Sequence, residues 1–470
     1  MSSMPTVPFV LPALPARVHF VGIGGIGMSG LARILLAWGF GVSGSDSLES
    51  EQTKLLHSEG IPVNIGHTDV DRAADAQLVV MTAAVRPGNL EVVAARSAGV
   101  PVVKRAELLG LLANARTCVA VAGSHGKSTT SGMIVSALTT LGAGPSYAVG
   151  AVVAATGTNA APGTGPAMVV EADEYDYSFL QLTPDIAIVI NIDYDHPDLF
   201  PDQATYDLAF ARFVQRIRLG GTLIAAGDDE GVRRLITLLS DQIQYRVITF
   251  GESTGLDWTM HPGQLGWQVT SPVGSAFTLD LQVPGKHNVR NAVAALIALT
   301  ALGYDTRLAC DALSHYQGIG RRFDVKGEAN GIVVVDDYAH HPAEIRATMQ
   351  AARERYPDRR IIAAFQPHTY SRTLALLDDF AGALCDADLA VILAIYASRE
   401  TDTLGVTSAD VIAKMPAGAI AGGSPDNVVE VLTAITRTGD VILTIGAGDV
   451  TGVGPRLLQA LAARGADCNG

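Results

Sequence analysis

Short apolar runs recur along this chain, and a segment long enough for a helix follows most of them. The runs are 17–21, 78–82, 117–122, 168–171, 186–190, 222–225, 332–336, 360–365, 389–395 and 441–445. Their apolar residues are nearly continuous rather than alternating with polar ones, which is typical of parallel strands covered on both faces. The sequence therefore predicts an α/β protein in which helices connect parallel strands.

The chain length and the points at which new strand series begin predict three domains. At about 150 residues per domain, 470 residues favour three. We expect a flexible tail over 1–15, a Rossmann-like N-terminal domain over 16–112, a central P-loop ATPase α/β domain over 113–320 and a Rossmann-like C-terminal domain over 321–470. Residues 257–284 alternate polar and apolar residues around Pro-Gly turns, which predicts an antiparallel meander inside the central domain.

The charge balance and the apolar pattern exclude several classes of protein. Lys and Arg number 33 against 47 Asp and Glu, so the net charge is −14, and a broad nucleic-acid surface or an anionic-membrane binder would need the opposite sign. No apolar run reaches the length of a membrane span. The four cysteines, Cys118, Cys310, Cys385 and Cys468, lack metal-binding spacing and are expected to be buried in a reducing compartment. We predict a cytoplasmic protein, either a monomer or a homodimer.

The first predicted strand runs directly into a glycine-rich turn with the GxGxxG pattern. Its glycines are Gly22, Gly24 and Gly27, and a helix is predicted over 28–38. Asp46 closes the next strand. Backbone amides and a helix N-terminus in such a turn bind a pyrophosphate, with the aspartate near a ribose. A dinucleotide cofactor, the diphosphate of another nucleotide, and a turn that only packs helix on strand all remain open from the motif alone.

A second glycine loop follows the strand at 117–122. It contains Gly123, Gly126, Lys127 and Ser128, but Val121 stands where the full Walker pattern has a glycine. Loop amides and the helix dipole can hold phosphates, Lys127 can reach the β and γ oxygens, and Ser128 can bind Mg²⁺. ATP binding is favoured here over a simple turn with a solvated lysine.

Acidic and histidine residues follow two later strands of the central domain. Glu171 lies at a strand end, where a carboxylate would complete a Mg²⁺ shell. Because Mg²⁺ prefers oxygen, His196 by itself is more simply a capped loop histidine. Asp173 and Glu174 are expected to be solvated rather than catalytic.

Polar residues also open a later helix and follow strands of the third domain. Asn288 and Asn291 precede a helix predicted over 292–302, and the spacing leaves an N-cap and a nucleotide-base contact equally open. In the third domain the polar residues near strand ends are Arg321, Arg322, Asp336, Asp337, Tyr338, His340, His341, His368 and Arg372. Arg372 suits a carboxylate ligand.

Taken together, the motifs resemble those of the Mur ligases. The similarity runs in order from about residue 17 to the end of the chain. It rests on the GIGGIGMSG loop, the SGSD strand end, the GSHGKSTT loop, EADE at 171–174, Asp195-His196, the two asparagines, RRF at 321–323, DDYAHHP at 336–342 and the segment 365–373. Thr369 departs from the family, since many members have Arg at that position.

The resemblance implies a role for each domain: binding a UDP-sugar, binding ATP, and closing over an amino acid. It assigns the UDP-sugar to the first glycine loop through Gly22, Gly24, Gly25, Gly27, Asp46 and Arg105. It assigns ATP to Gly123, Ser124, His125, Gly126, Lys127, Ser128, Thr129, Asn291, Arg322 and Asp336. It assigns Mg²⁺ to Ser128, Glu171 and His196, and catalysis to Lys127, His196, Tyr338, His340 and Arg372.

The activity implied by the resemblance is an ATP-dependent ligation in peptidoglycan precursor synthesis. L-alanine would be joined to the lactyl carboxylate of UDP-N-acetylmuramate through an acyl phosphate. One alternative is a recycling ligase that adds a preformed peptide to the same UDP-sugar. An NAD-dependent oxidoreductase would explain the first glycine loop and Asp46 but leaves the second loop and Glu171 without a role.

Overall fold

The described residues form three β-sheets with connecting helices, which confirms the predicted α/β class. The computed structural model describes residues 10–82, 85–86, 88–196, 199–239, 244–398, 400–415 and 419–467. Its contacts group the chain into two compact units. The first comprises Met1–Asp193, Gln203–Thr278 and Val293–Leu313, and the second comprises Tyr194–Asp202, Leu279–Ala292 and Ser314–Gly470. The domain boundaries and the tail over 1–15, most of which lies outside the described residues, stay predictions.

The first sheet has five parallel strands in the order β3-β2-β1-β4-β5. Its elements are β1 (Arg17–Val21), α1 (Ile26–Ala37), β2 (Gly41–Asp46), α2 (Glu51–Ser58), β3 (Val63–Ile65), α3 (Val70–Ala74), β4 (Leu78–Met81), α4 (Leu90–Ser97), β5 (Val102–Lys104) and α5 (Arg105–Asn114). The order reverses at β1, so the loop after β1 lies at the switch point where ligands of such sheets bind.

The second sheet has ten strands in the order β15-β14-β13-β12-β11-β10-β6-β9-β7-β8. Its elements are β6 (Thr117–Ala122), α6 (Lys127–Thr140), β7 (Ser146–Val153), β8 (Thr158–Ala161), β9 (Ala167–Glu171), β10 (Ile186–Val189), α7 (Gln203–Val214), β11 (Thr222–Ala226), α8 (Glu230–Leu239), β12 (Arg246–Gly251), β13 (Trp258–Gly263), β14 (Gly266–Thr270), β15 (Ala276–Leu279), α9 (Lys286–Ala301) and α10 (Thr306–Ser314). Strand β6 pairs in parallel with β9 and β10, so the ends of these three strands meet at one edge.

The third sheet has six strands in the order β16-β17-β21-β18-β19-β20. Its elements are β16 (Asp324–Ala329), β17 (Ile332–Asp337), α11 (Pro342–Arg355), β18 (Ile361–Phe365), α12 (Tyr370–Ala375), α13 (Leu377–Ala383), β19 (Leu389–Leu393), α14 (Ser408–Lys414), β20 (Ala419–Gly423), α15 (Pro425–Ile435), β21 (Val441–Ile445) and α16 (Val453–Asp467). Strand β17 buries Val333 and Val335 in one apolar cluster and Val334 in the cluster on the opposite face. This two-sided burial explains its continuous apolar sequence.

Several local predictions agree with the structure and others do not. The meander is present, because β13 and β14 pair antiparallel and β15 lies next to β14. The predicted helix over 292–302 is wrong at its start, because α9 begins at Lys286. The sequence reading missed β16, an edge strand that pairs antiparallel with β17 around a bulge. Its half-polar sequence, DVKGEA, lacks the apolar run that marks a buried strand.

The structure also bears on the predicted burial of the cysteines and on membrane-spanning helices. Cys118 and Cys310 are buried as predicted, but Cys385 is exposed, so that prediction is wrong, and Cys468 lies outside the described residues. None of the helices in the described part of the chain combines the length and the apolar character needed to cross a bilayer.

Candidate active site

The first glycine loop, residues 22–27, lies between β1 and α1 in the first unit. Gly22 has a φ of +84°, and a Cβ there would lie 2.5 Å from the Thr82 side chain, so the turn needs glycine. The Gly24 amide donates to Asp46 Oδ2 at 2.8 Å. Gly22, Gly25 and Asp46 line a cavity of about 950 Å³, which we call the loop cavity. The residues of this loop that were predicted to bind the UDP-sugar therefore lie close together. Asp46 also stabilises the loop through its hydrogen bond with Gly24.

A buried polar network that the sequence reading missed adjoins the loop cavity. Glu91 is fully buried, accepts hydrogen bonds from the Ser45 hydroxyl and the Asp69 amide, and lies 3.6 Å from His19 Nε2. Burial would raise the pKa of Glu91, but the nearby His19 imidazole and the hydrogen bonds from Ser45 and Asp69 outweigh it, so the pKa is lowered. His67, which lines the loop cavity, contacts the same serine through Nδ1 at 2.7 Å.

A second cavity, of about 360 Å³, leads from the first glycine loop to the end of β9. Its lining includes Gly25, Gly27 and Arg105 as well as Glu171 and Asp173. We call it the bridging cavity. It brings Arg105, predicted to bind the UDP-sugar, into the same space as Glu171, predicted to bind the metal, and both belong to the first unit.

The second glycine loop, residues 123–126, connects β6 to α6 and is called the phosphate loop here. Gly123 and Gly126 have φ values of +143° and +81°, where glycine is favoured. Asn191 fixes the loop by accepting a hydrogen bond from the His125 amide at 2.8 Å and donating one to the His125 carbonyl at 3.1 Å. Helix α6 begins at Lys127, so its first amides lack intrahelical acceptors and can bind phosphate oxygens.

The Lys127 ammonium donates to the Gly123 carbonyl at 2.6 Å, the Ser124 carbonyl at 3.2 Å and Glu174 Oε2 at 2.8 Å. Burial alone would lower the pKa of Lys127, but the carboxylates of Glu174, Asp173 and Glu171 outweigh it and raise the pKa. The lysine is therefore charged. The prediction that Glu174 is solvated is wrong: its side chain is 1% exposed, because it pairs with this buried ammonium.

Ser128 and Glu171 meet beside the phosphate loop. The Ser128 hydroxyl lies 2.8 and 3.0 Å from the two carboxylate oxygens of Glu171, and the Gly150 amide donates to Glu171 Oε2 at 2.6 Å. These are oxygen donors of the kind that Mg²⁺ prefers. Within the described ranges, no three His, Cys, Asp or Glu side chains are grouped as a metal site.

In the second unit, Asp195 and Arg372 form a buried ion pair. Arg372 Nη2 donates to Asp195 Oδ1 at 2.8 Å. Burial would raise the pKa of Asp195, but the guanidinium outweighs it and the pKa is well below its usual value. The neighbouring His196 has a φ of +56° and donates its own amide to Asp195 Oδ1 at 2.7 Å. Arg372, predicted to be catalytic, is thus held by a carboxylate of the protein.

Two guanidinium groups lie close to the Tyr338 ring. Those of Arg321 and Arg322 are 4.7 and 5.1 Å from the centre of its ring, within range of cation–π attraction. Asp336, in the strand β17 that precedes Tyr338, is fully buried and accepts hydrogen bonds from the Thr444 and Thr451 hydroxyls at 2.8 and 2.9 Å.

His340 and His368 are neutral neighbours in the second unit. Their rings are 5.8 Å apart, and His340 Nδ1 lies 3.1 Å from the Tyr338 carbonyl oxygen. Burial lowers the pKa of His340 to about 3, and burial together with Arg372 lowers the pKa of His368 to about 4. Both imidazoles are therefore uncharged at neutral pH.

The two asparagines of α9 occupy its first turns, because the helix begins six residues earlier than predicted. Asn288 is therefore not an N-cap; its Nδ2 donates to the Pro284 carbonyl at 2.6 Å. Asn291 is buried in the second unit. Its contact with a nucleotide base stays a prediction, as do the nucleotide contacts of Arg322 and Asp336.

Fold and site together define an α/β nucleotide-binding protein with a phosphate loop and a second glycine-rich turn. The models of three families match the chain: the Mur ligase family catalytic domain over 17–117, the Mur ligase middle domain over 121–299 and the Mur ligase glutamate ligase domain over 321–448. The chain belongs to the Mur ligase family, as its motifs indicated.

Individual relatives cover almost the whole chain. The UDP-N-acetylmuramate--L-alanine ligase of Paenarthrobacter aurescens is 42% identical over 95% of this chain and 97% of its own. The enzyme of the same name from Streptomyces coelicolor is 43% identical over 96% and 99%. Among solved structures, UDP-N-acetylmuramate-alanine ligase MurC from Thermotoga maritima is 30% identical, with a TM-score of 0.77 over 96% of this chain and 100% of its own.

Proposed function

We propose that this protein ligates L-alanine to the lactyl carboxylate of UDP-N-acetylmuramate with the hydrolysis of ATP. The observation that carries the proposal is the bridging cavity, which joins the first glycine loop to Glu171 beside the phosphate loop. A UDP-sugar held by its diphosphate at the first loop would extend along this cavity. Its carboxylate would then reach the γ-phosphate of an ATP held by the phosphate loop. The relatives that match at 42 and 43% identity are named for this reaction.

The proposed chemistry has two steps. The lactyl carboxylate attacks the γ-phosphate and gives an acyl phosphate and ADP, and the neutral amine of alanine then attacks the acyl carbon and displaces phosphate. A carboxylate is a poor acyl donor until phosphorylation supplies the leaving group. The protein contributes position and charge neutralisation, because Lys127 and the first amides of α6 surround the place where negative charge gathers.

Mg²⁺ fits the donor set at the phosphate loop. The Ser128 hydroxyl and the Glu171 carboxylate supply oxygen ligands within 3.0 Å of each other. The ion would neutralise charge on the phosphates of ATP. His196 is proposed as a further ligand from the resemblance alone.

The second unit supplies the other proposed residues. Asn291, Arg322 and Asp336 are proposed nucleotide contacts, and Tyr338, His340 and Arg372 are proposed to contact alanine and the acyl phosphate. We assign His340 a hydrogen-bonding role, because an imidazole with a pKa of about 3 is a weak base for the amine. We further propose a cytoplasmic enzyme that is a monomer or a homodimer.

The experiment measures phosphate release from ATP and Mg²⁺ with single amino acids, with and without UDP-N-acetylmuramate. Release should require the UDP-sugar and should be fastest with L-alanine. Comparing a tripeptide with L-alanine as the acceptor distinguishes the recycling ligase from the proposed enzyme. Comparing the binding of NADH with that of the UDP-sugar distinguishes the oxidoreductase. Phosphate release that does not depend on the UDP-sugar would refute the proposal.

A further inference from the structure

The Lys127 ammonium has three protons, and all three point at oxygen atoms of the protein. Two acceptors are carbonyls of the phosphate loop and the third is Glu174 Oε2. A phosphate oxygen can therefore gain a hydrogen bond from Lys127 only if one of these contacts is released. If a phosphate oxygen takes the place of Glu174, one anionic acceptor replaces another. Glu174 is therefore the contact that we expect to be released.

Releasing Glu174 has a cost, because its carboxylate is 1% exposed and water cannot replace the ammonium. One donor that already lies beside Glu174 is Tyr206, a fully buried residue of α7. Its hydroxyl lies 3.2 Å from Glu174 Oε1 and 2.9 Å from Ser124 Oγ. It therefore stands between the glutamate and the phosphate loop.

The Tyr206 hydroxyl has two acceptors within hydrogen-bond distance. Ser124 donates its single hydroxyl proton to the Asp193 carbonyl at 2.6 Å, so Ser124 Oγ is an acceptor for Tyr206. Tyr206 can donate its one proton to Ser124 Oγ at 2.9 Å or to Glu174 Oε1 at 3.2 Å. If it turns to Glu174, Ser124 Oγ still accepts from the Asp193 amide at 2.9 Å, so this exchange leaves the serine satisfied.

We propose that Glu174 and Tyr206 are positioning residues that control the release of Lys127 to ATP. Glu174 holds the ammonium before the nucleotide binds. When the nucleotide takes the ammonium, the Tyr206 hydroxyl gives up its contact with Ser124 and strengthens its existing hydrogen bond to Glu174, which stabilises the carboxylate that has released the ammonium. This inference rests on the proposed function only in naming ATP as the nucleotide.

The proposal predicts opposite effects from two neighbouring substitutions. Glu174→Gln removes the competing charge, so the KM for ATP should fall by about tenfold. Tyr206→Phe removes the replacement donor, so the KM for ATP should rise by about tenfold with a smaller change in kcat. In the double variant the competing carboxylate is absent, so loss of the Tyr206 hydroxyl has nothing left to affect and the KM for ATP should match that of Glu174→Gln.

The test measures KM for ATP, kcat, and the affinity for ADP by equilibrium titration in all four proteins. Tyr147→Phe is the matched control: it removes the hydroxyl of another buried tyrosine, which contacts Thr156 at 2.7 Å, and should leave the KM for ATP unchanged. A rise in KM with Glu174→Gln, or an equal rise from Tyr206→Phe in both backgrounds, would overturn the proposal. Glu174→Gln alone decides the direction if Tyr206→Phe does not fold. Loss of UDP-sugar-dependent phosphate release in the wild type would instead count against the proposed function.

Discussion

Asp195 and Arg372 are 177 positions apart in the chain, yet their side chains meet at 2.8 Å in the second unit. The side chains are only 7% and 8% exposed. Two opposite charges can be buried as a pair, whereas removing one of them leaves a buried charge without compensation and strongly destabilises the fold. Arg372 therefore stabilises the fold through Asp195, independently of any contact that it makes with a substrate.

Replacing Arg372 with Ala should lower the free energy of unfolding by about 3 kcal/mol, because the Asp195 carboxylate stays buried without its guanidinium. Denaturant unfolding measures the change. The double variant Asp195→Ala/Arg372→Ala should recover part of the loss, since neither charge is then left alone. A double variant less stable than Arg372→Ala would contradict this account of the pair.

Replacing Lys127 with Ala should reduce kcat by at least about 100-fold, because the cation nearest the predicted phosphate position is lost. The affinity for the UDP-sugar should be unchanged, since Lys127 lines neither the loop cavity nor the bridging cavity. Turnover and equilibrium binding of the UDP-sugar measure the two effects separately. Lys54→Ala, on the exposed helix α2, is the control and should keep normal turnover. Normal turnover in Lys127→Ala would remove this residue from the mechanism.

Local sequence pattern predicted many of the strands and the two glycine loops, because both depend on residues that are neighbours in the chain. Strand β17 shows why: Val333 and Val334 are buried on opposite faces, so the run is apolar throughout. The phosphate loop is likewise visible locally, since Gly123 and Gly126 adopt positive φ values within one short segment.

The pairing of distant polar residues was not predictable from local pattern. Glu174 looked like a solvated carboxylate, and its burial depends on Lys127, 47 positions away. The Asp195–Arg372 pair and the contact of His67 with Ser45 join segments that the sequence does not relate. A polar residue is buried only if a partner satisfies it, and the identity of that partner is a property of the tertiary structure.

Gly25→Ala should raise the KM for the UDP-sugar by about tenfold without changing the melting temperature. A Cβ at Gly25 meets no protein atom closer than 3.7 Å, so the fold accepts it. Because Gly25 lines both the loop cavity and the bridging cavity, the methyl group would occupy ligand space. Gly24→Ala is the comparison: its Cβ would lie 2.9 Å from Asp46 and Thr53, so the melting temperature should fall too. Equal melting temperatures for the two variants would contradict this distinction.

Acidification should destabilise the protein partly through His340. Burial holds its pKa at about 3, while the unfolded chain has a histidine pKa of about 6.5. Below pH 6.5 the unfolded state therefore binds a proton that the folded state does not, so this stability is complete above pH 6.5 and is lost as the pH falls toward 3. Between pH 7 and pH 5 the loss from one such histidine is about 2 kcal/mol. Denaturant unfolding at both pH values should show a smaller loss in His340→Gln than in the wild type. His57→Gln, which changes an exposed histidine of α2, should keep the wild-type dependence. If His340→Gln lost as much stability between pH 7 and pH 5 as the wild type, His340 would already be protonated in the folded protein at pH 5. Its pKa would then no longer argue against a role as the base.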